Sequence, residues 1–323
     1  MAMKIVLALS GALTCAFPAV AAAAALEFPV RPIRLILPVA PGGGQDTTAR
    51  AMSQKLTEEL GQHIIIDSRP GGGGNVAAQL AARAAPDGYT LLMISATAVT
   101  TPLVYEAAYD LDRDFIPVSQ LVSTPYLLVV TPSLPVRSVA ELISYAKANV
   151  DKLAYASAGS GSLTHLAVEL FKSTVGISMI HVPYKGMGAS GPDLIGGRVH
   201  LGFWSIVSAQ PLVRANRLLA VAVSSGQRAK AAPDIPTLAE SGVPGYAVTQ
   251  WYGVLAPART PRPIVDRLSR RMATAIKNPE VAARVAHDGG EPVGSSPQQF
   301  QAHLKAEHVK WARIVEQTEI RNK

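Results

Sequence analysis

Twice, about 120 residues apart, the chain runs from an apolar strand through a loop of small residues into a helix: LILPVAPGGGQDTTAR at 35–50 and LAYASAGSGSLTHLAV at 153–168. Glycines let such a loop turn sharply and bring its backbone close to a ligand. The helix that follows presents unpaired N–H groups and a partial positive charge. A carboxylate or phosphate can be held there without a cationic side chain. Ligands of α/β sheets sit beyond the carboxyl ends of the strands. Two such units therefore predict two α/β lobes whose loops face each other across a cleft.

The remaining pattern agrees with α/β. Strands are predicted over Ile33–Ala40, Ile64–Asp67, Tyr126–Val130, Leu153–Ala156, Val199–Phe203 and Leu218–Val223. Helices are predicted over Asp46–Leu60, Ala77–Ala85, Val139–Ala148 and Leu163–Thr174, with a largely helical tail from Pro263 to Glu319. Alternation of this kind predicts mostly parallel sheets.

The first 25 residues read differently. Lys4 precedes an apolar run, Ile5 to Val20, and the alanines at 21–25 offer A-x-A cleavage sites. This is the pattern of a secretory signal peptide and predicts export to the periplasm. Pro18 interrupts the run, which argues against a membrane anchor. The single cysteine, Cys15, lies inside this segment, and Ala12 three positions before it is a poor lipidation signal. The mature chain then has no disulfide and must be stable by core burial, which 48% hydrophobic residues permit. Loss of Lys4 leaves a net charge one below the +7 of the full chain. The charge is scattered, and in an exported protein it points to small anions rather than nucleic acid.

Catalytic and cofactor motifs fail on their spacing. The first loop lacks the lysine of a phosphate-binding P-loop. Gly72, Gly74 and Ala77 form a loose dinucleotide pattern, but Tyr89–Ser95 carries no acid to hold a ribose. The residues around Ser160 are Ala-Gly-Ser-Gly-Ser, not the Gly-x-Ser-x-Gly of a nucleophile elbow, and His165 lies within a predicted helix. His303 and His308 are five apart, and no metal-binding HExxH occurs. No cofactor, metal site or catalytic residue is predicted, and an exported hydrolase is the rival reading.

Nine stretches then carry a resemblance over the mature chain. They are FPVRPIRLILPVAPGGGQDTTAR, IIIDSRPGGGGNVAA, PDGYTLLM, AKANVDKLAYASAGSGSLTHLAVELFK, HVPYKGMGAS, DLIGGRV, PDIPTLAESGVPGY, WYGVLAPARTP and EHVKWARIV, in order from Phe28 to Val315. The chain resembles the extracytoplasmic solute receptors of the tripartite tricarboxylate transporter system, the Bug-type receptors. The resemblance implies a periplasmic binding protein (Venus-flytrap) fold of two α/β lobes and a hinge. Residues 26–125 with 249–323 would form one lobe and 126–248 the other.

It also implies a monomer that captures a small carboxylate for a membrane permease, or reports it to a signalling partner. Carried onto this sequence, the carboxylate anchor would be Gly43, Gly44 and Asp46 on one side. On the other it would be Ser157, Gly159, Ser160, Ser162 and Thr164. Selectivity is expected from Thr97, Tyr184 and Trp204. A tryptophan cannot pair with an ammonium but can stack on a ring. Trp204 thus favours a ligand without an amino group, an aromatic or apolar carboxylate, unless the ring packs in the lobe core.

Overall fold

The computed structural model of the chain describes residues 28–42 and 44–318. The predicted signal segment, with Cys15, and Gly43 lie outside them.

The strands are β1 (Ile33–Leu37), β2 (Ile64–Ser68), β3 (Thr90–Ser95), β4 (Phe115–Val130), β5 (Ala154–Ser157), β6 (Ile180–Pro183), β7 (Leu201–Ser205), β8 (Leu219–Val223), β9 (Thr249–Pro257) and β10 (Glu291–Pro292). The α-helices are α1 (Gly44–Leu60), α2 (Asn75–Ala82), α3 (Thr97–Val104), α4 (Leu111–Asp114), α5 (Val139–Ala148), α6 (Leu163–Val175), α7 (Gly191–Ile195), α8 (Ile206–Arg214), α9 (Arg262–Lys277), α10 (Pro279–His287) and α11 (Pro297–Gln317).

The strands join in the order β2-β1-β3-β9-β4-β7-β5-β6, with β8 and β10 also paired to β4. The expectation of mostly parallel sheets needs correcting. β1 pairs in parallel with β2 and β3, and β5 with β6 and β7. The long strands β4 and β9 run antiparallel to their neighbours. The sequence predicts only Tyr126–Val130 of β4, because Pro117 and Pro125 interrupt its apolar run, and it does not predict β9. The structure places Pro117 beside a shift of register, and Pro125 where β4 changes partner. Proline is tolerated at such irregular points of a sheet.

Strand alternation sorts the core onto two faces. Leu35, Leu37, Leu91 and Met93 point to one side, against Met52 and Leu56 of α1 and Leu268 and Met272 of α9. Ile36, Leu92 and Ile94 point to the other. That second cluster continues through Trp251, Phe300 and Trp311 into Tyr155, Phe171 and Phe203, so one apolar core spans both ends of the sheet. Helix α9 reaches the core with apolar residues at Ile264, Val265, Leu268, Met272 and Ile276, a helical stripe. Helix α11 starts with a capping box between Ser296 and Gln299.

Two backbone segments connect the halves. β4 pairs with β9 as far as Pro125, then with β7 from Tyr126 and β8 from Leu127. The chain returns through Val248 into β9. Ser224, fully buried, ties the two segments: its Oγ accepts from Tyr126 N at 2.9 Å and donates to Val248 O at 2.6 Å. Replacing Ser224 by Ala leaves a buried N–H and a buried carbonyl unpaired. Ser224→Ala is expected to cost about 1–3 kcal/mol in urea unfolding. A cost indistinguishable from zero would mean that both groups find other partners.

Candidate functional site

The first loop is built from the end of β1. Pro38 and Val39 lead to a turn in which Gly42 has φ +97, a conformation that favours glycine. Asp46, in the first turn of α1, is only 3% exposed. Its Oδ2 accepts from Gly42 N at 3.0 Å, and both its oxygens accept from Arg50 Nε at 3.0 and 2.9 Å. The Arg50 hydrogen bond, opposed by burial and helped by Gly42, holds the carboxyl below its ordinary 3.8. Asp46 therefore closes the loop on itself. Gln45 Nε2 donates to Met93 O at 2.8 Å and fixes the helix start to β3. Gly44 meets Tyr252 of β9: a Cβ built there would stand 2.8 Å from Tyr252 Oη.

The second loop carries its own network. Ser162 caps α6, accepting from His165 N at 3.3 Å. Thr164 Oγ1 accepts from Ala158 N at 2.9 Å and lies 3.1 Å from Ser162 Oγ. Ser157 is fully buried; its Oγ accepts from Gly159 N and donates to Gly159 O, both at 3.1 Å. Below the loop His165 and His181 stack at 3.8 Å with Tyr155 beside them. His165 Nδ1 accepts from Gly161 N at 3.0 Å, and Ser157 Oγ lies 2.7 Å from His181 Nε2. Gly159 has φ +125 and Gly161 φ +72. Ser160 is exposed at the loop tip.

The loops come from opposite ends of the sheet, and the second reaches across. Tyr105, at the end of α3, donates from its hydroxyl to Ser160 O at 3.0 Å. A Cβ on Gly161 would stand 3.1 Å from both Val104 Cγ1 and Tyr105 Cε2. Neither loop contains Lys or Arg. What they offer is backbone N–H groups, helix starts and hydroxyls, which suit an anion.

A family model described as the tripartite tricarboxylate transporter family receptor, TctC, matches residues 48–320. The chain belongs to that family. Among solved structures it is similar to "R. palustris Rpa4515 with adipate", at 39% identity and TM-score 0.76 over 90% of this chain and 97% of that one. It is also similar to the periplasmic binding protein BugD, at 30% and 0.73 over 91% and 99%. MatC of Rhodopseudomonas palustris with bound malate matches at 33% and 0.72 over 89% and 100%. The two-lobed α/β architecture is thus that of the TctC and Bug periplasmic binding proteins.

Within this receptor fold the selectivity residues named from the sequence are dispersed. Thr97 begins α3 and is half-buried at the carboxyl end of β3. The Tyr184 hydroxyl donates to Asp193 Oδ2 at 2.7 Å, inside its own lobe. Burial and that carboxylate push it up to about 12. Trp204 is 4% exposed and packs among Leu127, Ala156, Leu194 and Ile206, with its ring edge against Gly191. That is the core placement, and it removes the argument for a stacking wall at this residue. Two side chains near the crossover escaped the sequence reading: Tyr252, raised to about 12 by burial first and then by Asp288, and Tyr126, raised by burial and by Tyr252. They belong to the crossover strands; Tyr252 falls in the WYGVLAPARTP stretch, but nothing local there gives its side chain a role.

The Ser157–His181 pair also has no sequence signature, since the two lie on adjacent parallel strands. Its serine is fully buried and bonded at both ends of Gly159, so no substrate carbonyl has access to it. Among the described residues no group of three or more His, Cys, Asp or Glu is placed to hold a metal ion.

Asp46→Asn is expected to loosen the first loop and weaken ligand binding roughly threefold to tenfold, about one charge-assisted hydrogen bond. A lowered carboxyl contributes fully above its ordinary 3.8 and loses that contribution only as pH falls through its folded value. The wild-type affinity should therefore show no Asp46-dependent change between about pH 5 and 8. A titration in that window that disappears in Asp46→Asn would refute the assignment.

Proposed function

We propose that the protein is a periplasmic receptor that captures a small carboxylate between the 39–46 loop and the Ser157–Thr164 loop, and delivers it unchanged to a tripartite tricarboxylate-type membrane permease. The observation that carries this reading is a pair of helix starts without cationic side chains, the second of whose loops meets the first lobe at Val104 and Tyr105 through Ser160 and Gly161. Adipate and malate in the two similar structures support the ligand class. Gly44, Ser160, Ser162 and the N–H groups around Gly159 line the capture side. Gly43 stands in the same loop, outside the described residues. Asp46, Ser157 and Thr164 hold the loops in shape. No residue performs a chemical step on the ligand.

In this reading residues 1–25 are removed on export and the protein works as a monomer. The lobes are 26–125 with 249–323, and 126–248, meeting at the segments where β4 changes partner and the chain re-enters β9. Closure is a hinge motion about those segments.

The test is a thermal-shift screen of mono-, di- and tricarboxylates, aromatic acids and amino acids, followed by calorimetry. A carboxylate that binds one per chain, raises the melting temperature and is recovered intact is the expected result. Turnover of the ligand, or a folded ligand-free protein that binds no carboxylate, would sink the proposal.

A further inference from the structure

A cavity of about 240 Å³ lies in the first lobe, at the carboxyl ends of β1 and β3. Leu92 and Ile94 come from β3, Ala78 from α2 and Ala98 from α3, while Tyr109 and Leu111 close the far side. Tyr109 spends its hydroxyl on Ala98 O at 2.9 Å, which leaves its ring as the apolar part of the wall. No Lys, Arg, His, Asp or Glu lines the cavity. Ser95 and Thr97, at the carboxyl end of β3, bring the hydroxyls other than that of Tyr109.

The cavity adjoins the capture site. Pro38 and Val39 line the cavity and are also the first residues of the first loop. A ligand whose carboxylate sits at the first loop therefore has this cavity at the base of that loop, where Pro38 and Val39 form part of its wall.

The lining decides what enters. A second carboxylate placed among Leu92, Ile94 and Leu111 would lose its hydration and find no cation in return. An apolar tail would leave water with a gain for every methylene. An apolar cavity of about 150 Å³ takes a benzene, so this one has room for somewhat more. We infer that the captured acid carries an uncharged apolar tail of about six carbons, aliphatic or aromatic, seated in this cavity, while its carboxylate stays at the loops. This rests on the carboxylate-capture reading and narrows it from carboxylates in general to acids with one charged end. It also moves the selecting wall from Trp204 to Leu92, Ile94, Ala98 and Leu111.

Calorimetry on the purified protein with matched acids tests it. Propanoate, butanoate, pentanoate and hexanoate should tighten by about fourfold per methylene. Hexanoate and benzoate should bind roughly tenfold or more tighter than adipate, which has the carbon count of hexanoate but a second carboxylate. Ala98→Leu fills the cavity and should weaken hexanoate and benzoate by roughly tenfold while changing propanoate by less than about twofold. Leu111→Ala enlarges it from the other wall and should move the preferred chain length upward, so the proposal stays testable if Ala98→Leu folds poorly. Adipate binding as tightly as hexanoate, or cavity variants that treat short and long acids alike, would overturn the apolar seat and leave carboxylate capture standing. Failure of every acid, malate and propanoate included, would instead remove the capture reading and the inference with it.

Discussion

Gly161→Val is expected to weaken carboxylate capture roughly 100-fold, measured as the calorimetric dissociation constant. Gly161 stands at the point where the second loop touches the first lobe. A single Cβ would already be 3.1 Å from Val104 Cγ1 and Tyr105 Cε2. Valine adds two methyl groups beyond that Cβ, against Val104 and Tyr105 at the end of α3. The loop must therefore withdraw, and the Tyr105 hydroxyl loses Ser160 O. A ligand held from both sides then keeps only one. Losing two or three hydrogen bonds of about 1 kcal/mol each amounts to roughly two decades in affinity. Gly161 also has φ +72, which a branched residue resists, so a control is needed. Gly176, at the far end of α6, has φ +66 with no atom within 4 Å of a built Cβ. Gly176→Val should therefore carry a similar positive-φ strain and keep affinity within about threefold of wild type. Equal losses in the two variants would show that strain, not contact between the lobes, is responsible.

The contrast between the two loops and the rest of the site follows from what is local in a sequence. The strand–loop–helix units at 35–50 and 153–168 are legible because the features that mark them, glycines, caps and apolar periodicity, lie within about a dozen residues. Ser162 as the cap of α6 is of this kind. The long strands are not. β4 runs 16 residues through Pro117 and Pro125 because different partners hold its two halves, and partner strands are invisible in a linear pattern. For the same reason the antiparallel middle of the sheet was read as parallel. Trp204 shows a different limit. Its position at the carboxyl end of β7 suggests the cleft, but alternation along β7 turns it to the face of Leu127 and Leu194. Phe203, one residue earlier, takes the opposite face. A one-residue difference of phase reverses such an assignment, and composition cannot supply it. The apolar wall beside the first loop went unread because Ala78, Leu92, Ala98 and Leu111 each look like ordinary core residues until the fold leaves a space between them.

The largest loss of stability is expected from Glu307→Ala, about 3–5 kcal/mol in urea or thermal unfolding. Glu307 is 6% exposed in the middle of α11. Its Oε2 accepts from Trp251 Nε1 at 3.2 Å and Trp311 Nε1 at 3.0 Å, and its Oε1 pairs with Lys310. Lys310 Nζ also donates to Ala247 O at 3.2 Å. Trp251 lies on β9 and Ala247 just before it, so one carboxylate fastens the C-terminal helix to the second crossover between the lobes. Alanine would strand two buried indole N–H groups, each with its own desolvation cost, and take the counter-charge from Lys310, which keeps its bond to Ala247 O. Glu307→Gln separates the contributions, because an amide oxygen still accepts from an indole while the charge facing Lys310 is gone; it should lose less than half as much. His303 packs against Trp251 at 5.1 Å, and burial lowers its pKa from 6.5 while Glu307 opposes the shift. With the folded value below the unfolded one, protons favour the unfolded chain, so stability should decline as pH falls below about 6.5. Removing Glu307 takes away the opposing charge and should steepen that decline. A Glu307→Ala protein within about 1 kcal/mol of wild type, with an unchanged pH profile, would mean that the crossover is held by the apolar packing of Trp251, Phe300 and Trp311 alone.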